Sequence, residues 1–219
     1  MSFRQIHFVA AAIVFFIVYN IFDELLRIPH PDFIHILHLG HEAALPTWLS
    51  SIVLLFGAQA AYLSYKIGRQ KDIAGARAFL IAAILLAAMS CDEVAQIHER
   101  IGDWIPLLPL FPADWKRHAS WVWVGGPIIL VLFAFAINVL RKPLSLVPGS
   151  NLLLAGGFGT IFLGGVIIEA TINWLNHEEL QRLWDAETIV EEGLELLGSL
   201  LILYGLTGWH RAMAKPNPR

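Results

Sequence analysis

Six stretches of this chain are each long and apolar enough to cross a lipid bilayer, and this feature constrains the fold most. A spanning helix needs about 20 predominantly apolar residues. Because backbone polar groups in lipid must be satisfied within the segment, and no alternating strand pattern is present, the spans are predicted to be α-helices. The predicted spans are residues 6–22, 46–66, 76–97, 120–140, 151–173 and 189–208.

Composition supports the same fold class. Hydrophobic residues make up 57% of the 219 positions and charged residues only 15%, whereas a soluble domain carries about 25% charged residues. The sequence therefore predicts an all-α integral membrane protein, a six-transmembrane-helix bundle forming a single membrane domain over residues 1–219. The bilayer itself is then the first partner, and the absence of a basic face argues against nucleic acid.

Positive charges are distributed unevenly between the two sides of this six-span chain. Ten of the fifteen lysine and arginine residues fall on the side that carries both termini and the second and fourth connections. Cytoplasmic loops are rich in these residues, so both termini are predicted to be cytoplasmic. Arg4 precedes the first apolar run as in a signal peptide, but no small-residue cleavage site follows, and we expect a retained helix.

Acidic residues gather at the opposite, extracytoplasmic end of the predicted bundle. Spans 3 and 5 run outward and spans 2 and 6 run inward, so their acid-bearing ends share one depth. Ionisable residues inside a span are functional candidates by default, and like charges in a low dielectric persist only if protonated, paired or bound to a cation. The residues at this level are Glu42, Asp92, Glu93, His98, Glu99, Glu169, Glu191, Glu192 and Glu195.

These residue types favour a metal centre. Carboxylates with one or two histidines suit Zn, Mn or Fe, and bridging carboxylates suit a two-metal site. We expect a divalent metal in a membrane enzyme that acts on a lipid-like or amphiphilic substrate, with Asp92 or Glu42 as general base or as support for the ligands. The Glu-x-x-His spacing of soluble di-iron bundles is absent. The expected metal ligands are Glu93, His98, Glu99, Glu169, Glu192 and Glu195.

Two other classes of function fit the same acids. In a non-catalytic subunit of a larger membrane complex, Arg100 would pair with Asp92 or Glu93, and protonated acids would bond one another across helices. An ion- or proton-coupled transporter or sensor needs polar groups on both sides, whereas the inner halves of the spans are almost purely apolar. No internal repeat supports an inverted-repeat transporter, and the single Cys91 excludes an internal disulfide.

At the end of span 3, MSCDEVAQIHERIG, the relative positions of the acids and the histidine depend on whether one helix continues through the segment. If one helix continues through it, at 100° per residue, Asp92, Gln96 and Glu99 share a face. His98 would then lie about 100° away from that face.

Two further segments stand out. The glycines of span 5, at 156, 157, 159, 164 and 165, predict close helix packing in the centre of the bundle with Glu169 buried.

Between spans 1 and 2 lie His30, His35, His38 and His41. The spacing of the last three aligns on a 3₁₀ turn. An interfacial amphipathic segment is the simpler interpretation, and a second metal site or a lid over the first is the alternative.

The chain resembles a family of multi-pass bacterial membrane proteins without an established activity. The resemblance rests on GHEAALPTWLSS, MSCDEVAQIHERIG, GGVIIEA and VEEGLELLG, and it extends from about Glu42 to Gly198. It implies a bacterial inner (plasma) membrane but no reaction, and the histidine run at 30–41 departs from the family's pattern. It does imply that one set of residues belongs together: Glu42, Asp92, Glu93, His98, Glu99, Glu169, Glu192 and Glu195.

Overall fold

The computed structural model describes residues 3–26, 32–41, 44–104, 121–171 and 181–215, and this part of the chain is helical without strands. A 3₁₀ turn at Asp32–Leu37 follows the first helix, and a π-helical turn at Leu163–Ile168 directly continues the sixth. The α-helices are α1 (Phe3–Leu26), α2 (Leu45–Gln70), α3 (Ala78–Ala95), α4 (Ile97–Trp104), α5 (Val122–Leu144), α6 (Ser150–Phe162) and α7 (Gln181–Ala214).

Five helices in this part of the chain are long and apolar enough to cross a membrane. They are Arg4–Leu26, Leu45–Gln70, Ala78–Ala95, Val122–Leu144 and Ser150–Thr171. The sixth predicted span, 189–208, lies within α7, whose glutamates and small polar residues lower its hydropathy. The chain is thus an all-helical protein with the features of a multi-pass membrane protein, and the six-span bundle stays a prediction.

Helices α2 and α7 are the most central of the bundle. Helix α2 packs against α3 and α7, α7 also packs against α6 and α1, and α5 packs against α6 and α3. The buried face of α2 is made largely of Gly, Ala and Ser residues, which let neighbouring helices approach closely. Near the acidic end, Ser51 and Ser90 join α2 to α3, because each hydroxyl donates to the other residue's backbone carbonyl at 2.8 Å.

Two glycines bring the backbones of α6 and α7 into direct contact. A Cβ atom at Gly157 would lie 2.6 Å from the carbonyl oxygen of Gly198, and a Cβ at Gly198 would lie 2.6 Å from that of Gly157. The close packing predicted from the glycines of span 5 is therefore found at Gly157. Gly156 and Gly159 differ, since no atom lies within 4 Å of a Cβ at either position.

An aromatic pair closes the end of the bundle that carries the α2–α3 and α5–α6 connections. Trp209 and Phe79 are both fully buried, with their ring centroids 4.4 Å apart. The indole nitrogen of Trp209 donates to the carbonyl of Pro143 at 2.8 Å. A satisfied polar contact therefore joins α7 to α5, next to the ring contact between α7 and α3 in the main apolar core.

At the opposite end, Asn20 fastens the histidine segment to α1. Its side-chain nitrogen donates to the carbonyls of Phe16 at 2.9 Å and Leu37 at 3.0 Å, and its oxygen accepts the Leu39 amide at 3.0 Å. Asn20 is only 3% exposed. The connection between α1 and α2 is thus held by a buried side chain.

We expect Asn20→Leu to lower the free energy of unfolding by about 1–3 kcal/mol, because the variant leaves the Leu37 carbonyl and Leu39 amide without this side-chain partner. Thermal unfolding of the detergent-purified protein measures the effect. Asn151→Leu is the matched control, since Asn151 makes one side-chain bond, to the Arg141 carbonyl at 3.2 Å at an exposed site. Equal melting temperatures for the two variants would contradict this role of Asn20.

Candidate functional site

A cavity of about 580 Å³ lies between α3, α5, α6 and α7, at the end away from Trp209. Its inner part is apolar, with Leu85, Met89, Phe133, Ile161 and Phe162 in the wall. Its outer part is acidic, and no lysine or arginine is among the described residues that line it. The eight carboxylic side chains in the wall are Asp92, Glu93, Glu99, Glu169, Glu187, Glu191, Glu192 and Glu195.

The chain turns between α3 and α4 at Gln96, which adopts a left-handed conformation with φ of 53°. Asp92 accepts hydrogen bonds across this turn. One carboxylate oxygen accepts the His98 amide at 3.0 Å, and the other lies 2.6 Å from Nδ1 of the His98 ring. The assumption of one continuous helix through this segment therefore does not hold, and the turn brings His98 onto Asp92 instead of away from it.

This contact selects the nitrogen that His98 can offer to a ligand. Nδ1 is occupied by Asp92, while Nε2 lies 4.0 Å from an oxygen of Glu99. The imidazole also packs edge-on against Trp121, with ring centroids 4.7 Å apart. A carboxylate that holds the far nitrogen of a histidine is the usual support of a metal-binding imidazole.

The charge on His98 follows from its neighbours. It lies in α4, beyond the end of α3, where burial alone would lower its pKa. The hydrogen bond and charge of Asp92, with the charges of Glu99 and Glu169, outweigh burial and raise the pKa of His98 above its ordinary value. An unperturbed histidine titrates near pH 6.5, so His98 retains its proton to higher pH than a free imidazole does.

Glu195 on α7 occupies space that two glycines of the π-helical turn leave open. A Cβ atom at Gly165 would overlap the carboxylate of Glu195, and a Cβ at Gly164 would lie 2.7 Å from the backbone carbonyl of Glu191. Turns of this kind are frequent at functional sites, because they shift the register of a helix by one residue. The turn therefore lets α7 approach α6 closely enough to place Glu195 between the two helices.

The carboxyl group of Glu195 is within electrostatic reach of acids on both neighbouring segments. It interacts with Glu93 of α3, with Glu169 after the π-helical turn, and with Glu191 and Glu192 of its own helix. The side chain of Ser50 on α2 lies near the carboxyl group of Glu93, although the buried Ser50 hydroxyl makes no well-formed hydrogen bond among the described residues. The acids of three helices thus face one space.

These acids do not form a ready metal site in the conformation seen. Among the histidine, cysteine, aspartate and glutamate residues that the structure describes, no group of three surrounds one metal position. A cation in the cavity would therefore require the side chains to change rotamer.

A family model matches residues 6–208, which is nearly the whole chain, and its description is a domain of unknown function, DUF8692. The chain belongs to this family. No curated protein matches the chain, and no solved structure does. The expected membership of a family without an established activity is therefore supported. The matched range of this DUF8692 chain contains every acid of the cavity.

Most of the sequence-predicted site residues of this DUF8692 chain line the cavity. The six expected ligands, Glu93, His98, Glu99, Glu169, Glu192 and Glu195, do so, and Asp92 lies beside them. Glu42 lies outside the described residues. One alternative allowed Arg100 to pair with Asp92 or Glu93, whereas in the structure Nε of its guanidinium donates to the Ala95 carbonyl at 3.1 Å.

Two acids on one face of α7 in this DUF8692 chain were not predicted from the sequence as ligands. Glu187 and Glu191 line the cavity together with Glu195, and neither of the first two was among the expected ligands. Their spacing of four residues was the available signal, since residues at i, i+4 and i+8 share a helix face. Thr188 lines the cavity as well, and Gly40 of the histidine segment reaches the cavity wall beside it.

Proposed function

We propose that this chain is a membrane enzyme that acts on a lipid-like or amphiphilic substrate in the cavity, with the help of a bound divalent metal. The observation that carries the proposal is the two-part lining of one cavity. The acidic outer part suits a polar or cationic group, and the apolar inner part suits a hydrocarbon chain. A pocket lined mainly by apolar groups with a few convergent polar ones is the usual form of a small-molecule site.

The donor set of the cavity supports a hard or borderline divalent metal. Carboxylate oxygens with one imidazole suit Zn, Mn or Fe, and facing carboxylates in a low dielectric are relieved by a cation. We propose Glu93, His98, Glu99, Glu169, Glu192 and Glu195 as ligands, with rotamer changes that bring several of them together. The metal would supply Lewis-acid chemistry, polarising a carbonyl or phosphoryl oxygen of the substrate.

Asp92 and Glu42 would have different roles in this scheme. Both carboxylate oxygens of Asp92 already accept hydrogen bonds from His98. We therefore assign Asp92 to orienting the imidazole and keeping Nε2 directed away from it. Glu42 remains the proposed general base, on the evidence of the sequence alone.

We further propose that α7 completes a six-span bundle in a bacterial inner membrane, with both termini in the cytoplasm and the cavity facing outward. The asymmetry of lysine and arginine residues supports this orientation. The aromatic closure at Trp209 favours an enzyme over a transporter, because a transporter requires a path to both sides.

Metal content tests the proposal directly. We expect the detergent-purified protein to contain stoichiometric metal by elemental analysis and to bind added Mn²⁺, and we expect Glu195→Gln to remove most of this binding. Asp92→Asn should weaken it by about 10- to 100-fold, the usual effect of removing the partner of a ligand histidine. Glu24→Gln is the matched control, since Glu24 lies on α1 outside the cavity.

Two results would overturn the metal assignment: the absence of stoichiometric metal in the wild-type protein, or unchanged binding in Glu195→Gln. Mass spectrometry of lipids that co-purify with the protein then tests the proposed lipid-like substrate independently of the metal. A subunit of a larger membrane complex would instead yield protein partners on purification, and neutralising single acids would alter its assembly.

A further inference from the structure

The inner part of the cavity reaches the outer surface of the described bundle between α3 and α5. Leu85, Ala88 and Met89 of α3 line it from one side, and Ile129 and Leu132 of α5 line it from the other. We call these five residues the α3–α5 seam. Ala88 is exposed and Leu132 is 44% exposed, so these two wall residues mark an edge at which the cavity opens sideways.

Helices α3 and α5 are held by different neighbours at this depth, which leaves the seam between them. A Cβ atom at Gly57 of α2 would lie 3.4 Å from a methyl carbon of Leu86, the residue that follows Leu85 on α3. On α5, the buried ring of Phe133 packs against Phe158 of α6, with ring centroids 4.6 Å apart. All five side chains of the seam are apolar, so they offer a ligand dispersion contacts and no hydrogen bonds.

The seam lies deeper along the bundle than the acids do. Leu85 lies two turns before Asp92 on α3, which places it about 10 Å further from the mouth along the helix axis. Both sides of the seam belong to helices that are long and apolar enough to cross a membrane, Ala78–Ala95 and Val122–Leu144. In a bilayer the seam would therefore open to hydrocarbon, while the acids would lie nearer the head groups.

The route into the cavity follows from the cost of moving a hydrocarbon chain. A chain that entered at the mouth would first have to leave the bilayer, and exposing its CH₂ groups to water is unfavourable. A chain that entered through the seam would exchange lipid for side chains that are equally apolar. We propose that the substrate is a lipid already embedded in the bilayer, and that its chain enters sideways through the α3–α5 seam while its head group reaches the acids.

This inference rests on the proposed function, because it takes the cavity as the substrate site. It narrows the substrate from lipid-like or amphiphilic compounds in general to lipids of the bilayer. The seam contains no proposed metal ligand, so a chain would enter it with or without the metal. The lateral route and the metal assignment can therefore fail separately.

Photolabelling of the full-length protein in phosphatidylcholine vesicles tests the route. The probe is a phosphatidylcholine with a photoreactive diazirine in the middle of one chain, and mass spectrometry identifies the labelled residues. We expect label on Met89 and Phe133, which line the cavity, and on Val131 of α5, which is 67% exposed. Ala88→Trp narrows the seam and should remove the label from Met89 and Phe133 alone. Ala87→Trp is the matched control, because Ala87 is exposed beside Ala88 but lies outside the cavity wall.

Loss of the label from Met89 and Phe133 in Ala88→Trp, with normal labelling in Ala87→Trp, supports the proposal. Absence of label on Met89 and Phe133 in the wild type overturns it, and so does labelling that persists in Ala88→Trp. Leu132→Trp, at the exposed opposite edge of the seam, serves if Ala88→Trp does not fold.

Mn²⁺ binding, measured on the same samples, separates this proposal from the metal assignment. We expect normal Mn²⁺ affinity in Ala88→Trp, since the substitution replaces no proposed ligand. Mn²⁺ binding without label on the cavity wall would overturn the lateral route and leave the metal assignment standing. Label on the cavity wall without Mn²⁺ binding would do the reverse.

Discussion

Gly165→Ala is expected to displace the Glu195 carboxylate and to abolish the proposed metal binding in the cavity. The added Cβ would overlap a carboxylate oxygen of Glu195, so either that side chain moves or α7 shifts away from the π-helical turn. Overpacking of this kind costs about 1–3 kcal/mol. We therefore expect a lower melting temperature together with loss of Mn²⁺ binding, measured by calorimetric titration.

Gly159→Ala is the matched control for this variant. Gly159 lies on α6, two turns from Gly165, and a Cβ at that position would contact nothing within 4 Å. Because alanine is favoured over glycine in a helix by about 1 kcal/mol, this variant should be as stable as the wild type or more so, with its metal binding intact. Normal Mn²⁺ affinity in Gly165→Ala would show that Glu195 is not a ligand.

Gly198→Ala is expected to destabilise the whole bundle, by about 1–3 kcal/mol or enough to prevent accumulation of folded protein. Its Cβ would meet the Gly157 carbonyl at 2.6 Å and the Ile161 amide nitrogen at 3.0 Å. Both are backbone atoms, so no change of rotamer can relieve these two contacts. Separation of α6 from α7 would be required, and the cavity lies next to that interface.

The yield of monodisperse protein and its melting temperature in detergent measure this effect. Gly208→Ala is the control on the same helix, because a Cβ at Gly208 would contact nothing within 4 Å. If Gly198→Ala and Gly208→Ala melted at the same temperature, the crossing of α6 and α7 would not depend on the absence of these side chains.

The helical fold class was predictable from the sequence because backbone polar groups in the hydrocarbon of a bilayer must be hydrogen-bonded within the segment. A run such as AFLIAAILLAA is stable in lipid only as a helix, and the corresponding helix α3 is found at Ala78–Ala95. The predicted sixth span, residues 189–208, is a different case, since α7 combines an apolar half with the glutamates of the cavity. Length and hydropathy alone do not assign such a helix to the membrane.

The sequence predicted that the acids lie at one depth of the bundle, but it did not predict their local geometry. Alternating helix directions place Glu93, Glu169 and Glu195 at one depth without any knowledge of packing. The left-handed residue Gln96 was missed because non-glycine residues rarely adopt positive φ, and the sequence shows no glycine there. As a result, the prediction separated His98 from Asp92, which are hydrogen-bonded partners.

The π-helical turn was also missed, because its sequence has the same apolar character as an ordinary span. Gly164 and Gly165 were recognised as packing residues, but periodicity assumes 3.6 residues per turn throughout. The inserted residue changes which side of the helix faces α7. Spacing along the chain therefore could not reveal that Gly165 makes room for one carboxylate.

The aromatic pair of Trp209 and Phe79 bears on proton leakage across the membrane in the proposed six-span orientation. A row of acidic groups connected to both compartments would conduct protons and dissipate the electrochemical gradient. In the proposed orientation, the apolar core that contains Trp209 and Phe79 lies between the acids and the cytoplasm, so we expect the acids to exchange protons with the outer compartment alone. We therefore expect the chain to carry the eight carboxylic groups around its cavity without leaking protons across the membrane.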